Sequence, residues 1–283
     1  ESLSSRSRAL REKALGPEHP SVASSLVDLA VIHDTLGRYA EAEPLYKRSL
    51  AIKEKAFGPD HPDVAGSLWS LSLLAYERGL WADAEPLGRR ALEIDEKTFG
   101  PEHVAVARAL SLLAELGRVR GLYTQAEQLG LRALAITEKA LGPDHPDAAS
   151  TLNVLALLYT EQGRYAEAEP LGRRALAISE KSYGPDHPTV AESLNNLAKV
   201  YRVRGLYAEA EPLCRRSLAV REKVFGMDHP AVAESLNNLA ELLRAQGLNT
   251  QAEPIGARAL AIREKALGPD HPHVAESLNN LAE

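Results

Sequence analysis

Apolar positions recur along the chain at spacings of three and four, broken at regular intervals by glycine and proline. After Pro188 the apolar positions are Val190, Ala191, Leu194, Leu197, Ala198 and Tyr201. That spacing predicts an amphipathic helix, helix A, over residues 187–203. Asp186 stands where an N-cap belongs, Pro188 falls in the first turn, and Gly205 ends the helix where a left-handed residue is easiest. A second helix, helix B, is expected to begin near Ala208, just after Tyr207. Its stripe runs Ala210, Leu213, Cys214, Ser217, Leu218, Val220, Val224 and Phe225, before Gly226 and Met227 close it. Pro212 is placed in its first turn, among amides that have no intrahelical acceptor. Each helix is expected to run about 15–17 residues.

The whole alternation returns every 42 residues. The stretch Gly184-Pro-Asp-His-Pro188 has counterparts beginning at Gly16, Gly58, Gly100, Gly142, Gly226 and Gly268, with Val104 and Met227 replacing one proline each. A fixed period of this size signals stacked repeats, because one helical hairpin cannot bury both of its apolar faces. The expected fold is all-α, a solenoid of antiparallel helical hairpins forming a single domain over residues 1–283. Six complete units span about 17–268, between a partial helix B at 1–16 and a partial helix A at 269–283. Glu1-Ser-Leu3 aligns with Glu43-Pro-Leu45, and Leu278–Leu281 with Leu194–Leu197, so both ends fall inside repeat units. A piece of a longer protein is expected.

Ala42, Ala84, Ala126, Ala168, Ala210 and Ala252 keep one position small, which lets helix B approach helix A. Tyr39, Trp81, Tyr123, Tyr165 and Tyr207 put a ring at the inter-helix turn, with Asn249 the exception. Gly88, Gly130, Gly172 and Gly256 lie inside helix B, where Tyr46 and Cys214 stand in other units. Each costs about 1 kcal/mol against alanine and implies a close backbone approach by a neighbour.

Composition narrows the function. The chain is 45% hydrophobic and 25% charged with net charge -6, which describes a folded protein without the basic run that nucleic acid or an anionic membrane requires. No apolar stretch approaches membrane-spanning length, and no signal-peptide pattern opens the chain. Cys214 alone excludes an intramolecular disulfide and fits the reducing cytoplasm. His19, His61, His103, His145, His187, His229 and His271 form a regular series. A metal needs several nitrogens about 2.0–2.1 Å from one ion, whereas packed helices lie about 8–10 Å apart. Hydrogen bonding in the linker is therefore expected, with no metal or cofactor. No phosphate loop, nucleophile-base set or carboxylate pair emerges, so no enzyme is expected.

The run Ala191-Glu-Ser-Leu-Asn-Asn-Leu-Ala198, followed by Gly205, Tyr207 and Glu209-Ala-Glu211, resembles the tetratricopeptide repeat. The long unit and its Gly-Pro-Asp-His-Pro linker resemble the kinesin light chain subtype, which also occurs in bacterial and signalling proteins. The resemblance covers the whole chain. It implies a right-handed superhelix whose concave groove, lined by helix A, holds an extended or helical peptide from a protein partner. Self-association or intramolecular regulatory docking is the alternative. A monomer is expected, with end-to-end stacking through exposed terminal repeats as a second possibility.

The polar face of helix A supplies the candidate groove. It carries Asn195, Asn196, Lys199 and Arg202, then Asn237, Asn238 and Arg244, then Asn279 and Asn280. An asparagine amide donates and accepts at once, which suits a peptide backbone, and the matching asparagines in related repeats are known for this. One asparagine of each pair could instead bond the neighbouring repeat as a ladder. The earlier units depart from this pattern, with Val27 and Val31, then Trp69, Leu73 and Tyr76, then Arg108, Glu115 and Arg118, then Asn153, Leu157 and Thr160. Trp69 and Tyr76 are either anchors for an apolar partner side chain or fillers between helices. Arg108, Arg118, Lys199, Arg202 and Arg244 suggest attraction for an acidic peptide, diluted by Glu115, Glu192 and Glu241.

Overall fold

A computed structural model of the chain describes residues 2–269 and 271–282. Glu1, Asp270 and Glu283, which belong to the repeat register, lie outside the described residues. Among those described, helices alternate without any strand. The helix-A elements are α2 (Pro20–Thr35), α4 (Pro62–Glu77), α6 (Val104–Val119), α8 (Pro146–Glu161), α10 (Pro188–Val203), α12 (Pro230–Ala245) and α14 (Pro272–Ala282). The helix-B elements are α1 (Ser2–Leu15), α3 (Tyr39–Phe57), α5 (Trp81–Phe99), α7 (Tyr123–Leu141), α9 (Tyr165–Tyr183), α11 (Tyr207–Phe225) and α13 (Asn249–Leu267). A complete helix B has 19 residues, longer than expected, because it starts at the ring residue itself. No described helix is long and apolar enough to cross a membrane.

Two local expectations are corrected. The N-cap of helix A is the histidine, not the aspartate before it. His187 is extended (φ -86, ψ 144), and its Nδ1 accepts the Thr189 N–H at 3.2 Å. The aromatic residue closing the preceding helix B stacks on this imidazole, with centroids 4.6 Å apart for Tyr183–His187 and 4.4 Å for Phe225–His229. Asp186 instead accepts from Lys223 at 2.5 Å. Pro212 lies in the second turn of α11, since that helix begins at Tyr207. Its missing N–H leaves the carbonyl of Ala208 without an intrahelical partner, at an exposed residue where water can serve it.

The chain forms two compact units, residues 1–116 and 117–283, with the boundary inside α6. In the first, Leu26 and Leu68 are fully buried between helices A and B; in the second, Leu152, Leu155, Leu158, Leu194 and Leu239 are. The repeated alanine is buried in both, as Ala84 and Ala168 show. Three of the four mid-helix glycines, Gly88, Gly172 and Gly256, are approached by side chains, a leucine in each case, rather than by backbone. A Cβ on Gly172 would stand 3.2 Å from Leu197 Cδ1, and one on Gly256 would stand 3.0 Å from Leu281 Cδ2. In the first unit the same knob is Leu113, 3.2 Å from a Cβ on Gly88. Glycine gives up helix propensity to admit a leucine from the next helix A.

A further device went unnoticed in the sequence. An arginine of helix B reaches the preceding helix B and the linker together. Arg90 pairs with Glu54 at 2.7 Å and donates to the Pro59 carbonyl at 3.1 Å. Arg174 does the same with Glu138 at 2.7 Å and the Pro143 carbonyl at 2.5 Å.

Candidate peptide-binding face of helix A

In residues 117–283 the paired asparagines have different surroundings. Asn153 and Asn195 are 2% and 1% exposed, and each donates 3.0 Å to a serine one repeat on, Ser193 and Ser235 respectively. Asn237, also 2% exposed, donates to Glu241 at 2.9 Å and accepts from Asn280 at 3.2 Å. Asn153 and the first members of two pairs, Asn195 and Asn237, form a ladder between repeats. Their neighbours Asn196 and Asn238 are half-buried and make no side-chain hydrogen bond to a described residue. Asn279 is exposed and Asn280 half-buried.

The cations of this face are engaged internally. Glu161 pairs with Arg118 and, at 3.3 Å, with Lys199. Arg202 pairs with Glu241 at 2.9 Å, and the same carboxylate accepts from Asn280 at 2.8 Å. Arg244 donates to the Asn280 carbonyl, while its Nη2 is buried without a partner. Arg202, Glu241, Arg244, Ala245, Asn249 and Asn280 line a cleft of about 490 Å3. The structure thus gathers Arg202, Asn237, Arg244 and Asn280 around Glu241, and Arg118 and Lys199 around Glu161.

A buried layer lies beneath the face. Arg221 is 5% exposed and donates to the Ala231 carbonyl and Glu234, each at 2.8 Å, and to Ser235 at 3.3 Å. Arg263, 4% exposed, repeats this with the His273 carbonyl at 2.7 Å, Glu276 at 3.1 Å and Ser277 at 2.7 Å. Burial works against the Glu276 charge, but the His273 hydrogen bond and the Arg263 charge outweigh it and hold the pKa at about 2. Such pairs were legible as opposite charges thirteen residues apart, and the sequence reading missed them. The Cys214 thiol is pushed up to about 12 by burial, which leaves it an unreactive core residue.

The face in residues 1–116 is built differently. Arg108 lies 4.6 Å over the Trp69 ring, a cation–π stack, and Trp69 Nε1 is buried without a partner. Beneath Arg108 sits Asp95, whose pKa is raised by burial against the pull of Arg108 and His103. The Tyr76 hydroxyl donates to Glu115 at 2.6 Å. Val27, Trp69 and Leu73 are half-buried, and Val31 is 44% exposed. Trp69 thus joins Arg108, and Tyr76 joins Glu115.

Regular helical hairpins with ordered polar side chains on one face of helix A define an α-helical repeat scaffold. The tetratricopeptide repeat family model matches residues 1–55, 35–97, 63–118, 106–181, 147–204, 189–265 and 232–283. The chain belongs to the tetratricopeptide repeat family. No curated relative matches it. Among solved structures, it resembles a Podosopora anserina kinesin light chain protein with nearly identical TPR-like repeats. The two are 27% identical over 72% of this chain and 97% of the other, with a TM-score of 0.53. BtubC (BKLC) from P. vanneervenii is similar in fold, with 24% identity, 79% and 88% coverage, and a TM-score of 0.59. A Rap protein complexed with Competence and Sporulation Factor shares the fold over 97% of this chain and 84% of its own, at 15% identity and a TM-score of 0.64.

Proposed function

We propose that the chain is a non-catalytic interaction scaffold that captures a partner peptide along the helix-A face, with Asn196 and Asn238 at the centre of the contact. One observation carries this reading. Asparagine is a middling helix former, yet both residues sit mid-helix, half-buried, with amides bonded to no described residue. Such amides contribute little to the fold and are free to bond a peptide backbone, which offers both N–H and C=O. The Rap protein complex supports the reading only in fold, as a related architecture seen with a bound factor. Lys199, Arg202, Arg244, Asn279 and Asn280 flank this row. Asn153, Asn195 and Asn237 support it from below, as members of the buried ladder. The acidic preference expected from the arginines is not part of the reading, because those cations already have protein partners. Cytoplasmic residence and a monomer that binds at one site complete it.

The test is a peptide-library pull-down with the intact chain and an Asn196→Ala/Asn238→Ala variant, once both are shown to melt alike. Peptides retained by the first and lost by the second are the expected result. Equal retention by both would remove the asparagine row from the contact.

A further inference from the structure

The buried asparagine ladder of residues 117–283 is incomplete at two of its rungs. Asn153 and Asn195 donate through Nδ2 to Ser193 and Ser235, and the Oδ1 of each is buried with no hydrogen-bond partner among the described residues. A buried acceptor left unmade costs more than an average hydrogen bond contributes, so each of these rungs calls for a donor. A third rung shows where one comes from. Asn237 Oδ1 accepts from the Nδ2 of Asn280, the outer asparagine 43 residues further on. Asn196 and Asn238 stand the same 43 residues after Asn153 and Asn195, on the next helix A, with amides bonded to no described residue. Asn280 also donates to Glu241. Where Glu241 stands, the two earlier repeats carry Leu157 and Lys199, neither of them an acceptor, so neither competes with the inner Oδ1 for the amide.

We propose that Asn196 and Asn238 close these rungs with their own amides and thereby present an acceptor alone to the partner, so that the face reads the backbone N–H groups of an extended segment. The inference rests on the groove reading above and narrows what the groove recognises. The chemistry of the asparagine side chain carries the step. Its last torsion is broad, so the amide turns over at little cost. Its carbonyl and NH2 lie on opposite sides of one planar carbon, so an NH2 turned down onto Asn153 or Asn195 turns Oδ1 outward. Linked hydrogen bonds polarise one another, and an amide that donates inward accepts more strongly at its outer oxygen. A helical segment keeps its N–H groups for its own carbonyls beyond the first turn, and a proline has none. The occupant is therefore an extended segment, free of proline where it crosses α10 and α12. Asn153 and Asn195 act as positioning residues, which orient the outer amide without touching the partner.

The closure is tested on the peptide-free chain. Exchange of side-chain amide protons, followed by NMR on the intact isotope-labelled chain, should be slowed about fivefold for Asn196 and Asn238 relative to the exposed Asn279. Asn195→Ala should return Asn238 to the rate of Asn279 and leave Asn196 slow. Ser235→Ala removes the bond beneath Asn195 but keeps its Oδ1, and should leave both slow. The occupant is tested by pull-down with two random decapeptide libraries, one ordinary and one N-methylated throughout, which removes the N–H groups and keeps every carbonyl. Retention should fall about tenfold for the methylated library, the contribution of two net hydrogen bonds. Asn196→Asp/Asn238→Asp keeps the acceptors and loses the donors. That pair should hold ordinary peptides within about threefold of the parent, where the alanine pair loses them. Asn238 exchanging as fast as Asn279, or an aspartate pair that behaves like the alanine pair, would overturn the proposal. If ordinary peptides are retained through Asn196 and Asn238 and methylated ones equally well, the inference fails and the groove reading stands. If neither library is retained, both fail.

Discussion

Asp95 and Arg108 in residues 1–116, and Arg263 and Glu276 in residues 117–283, occupy the same two positions of the repeat with their charges exchanged. The repeat asks for opposite charges there but does not set which lies outside. The exchange is not symmetric. The buried arginine places its Nη1 among a carbonyl, a carboxylate and a hydroxyl, and the outer glutamate is driven well into its ionised range. The buried aspartate has its pKa raised, because burial outweighs the nearby cations. One polarity suits the fold, then, while the other is retained at some cost and turns an arginine outward onto Trp69.

The largest effect should come from exchanging what fills helix B in the two regions. Tyr46 is 2% exposed in the cluster with Leu71 and Leu74, at the position held by Gly172 in the second region. Tyr46→Gly should cost about 4 kcal/mol, since deleting a buried ring costs about 3–5 kcal/mol. Chemical denaturation measures it, and a loss below about 1 kcal/mol would mean the ring is not the centre of that packing. The reverse change, Gly172→Val, should cost about 2 kcal/mol, because Leu197 leaves no room for the added carbons.

These positions also show what could be read from the sequence. The 42-residue period, the hairpins, the glycine turns and the repeated alanine were all visible, because each is a local pattern copied many times. The helix-A N-cap was misassigned to Asp186 because aspartate is the commoner cap. A histidine Nδ1 performs the same function here and gains a stacked ring. The asparagine row was found, but not which member of each pair turns inward, since one residue's shift rotates a helical side chain by about 100°. The arginine–glutamate layer was missed because its partners lie on different helices, at a spacing that no single-helix period marks.

Breaking the buried pair is the next largest test. Arg263→Met should cost about 2 kcal/mol, below the usual cost of orphaning a buried ion because Glu276 is half exposed. Asp95→Asn should leave stability at neutral pH unchanged or slightly higher, since it removes a desolvated charge. A large loss from Asp95→Asn would show that the two polarities are equivalent after all.

His187→Ala comes next, and should cost about 1 kcal/mol through the lost cap, with some additional loss from the ring contact. Replacement by aspartate should restore the cap but not the stack. Equal melting of the alanine and aspartate variants would put the whole effect in the Tyr183 contact.

The pH dependence separates the two polarities by sign. Glu276 has a folded pKa of about 2, below that of an unfolded glutamate at about 4.3, so its stabilisation is present above that value and fades as pH falls toward 2. Solvent at the half-exposed carboxylate limits the term to about 1 kcal/mol, and Glu276→Gln should flatten it. Asp95 has a raised folded pKa, so its region loses stability as pH rises from about 3.9 through that value. Asp95→Asn should remove that loss. Stability curves of the two variants should thus diverge from the parent in opposite directions, and parallel curves would refute the exchange.

The smallest effect is expected at the outer surface. Lys181 and Asp144 are paired at 2.9 Å, but their side chains are 71% and 64% exposed. Water and salt screen such a pair, and holding two long side chains costs entropy, so Lys181→Ala should not shift the denaturation midpoint resolvably. Arg174, on the same helix, differs in kind. Its guanidinium holds a linker carbonyl as well as Glu138, and that carbonyl belongs to the turn from which the next histidine cap is presented. Arg174→Ala should cost about 0.5–1 kcal/mol and persist at high salt, since a fork of directed bonds is less screened than a point-charge contact. Equal behaviour of the two alanine variants would reduce both to surface ion pairs, and the regular arginine latch to a by-product of repetition.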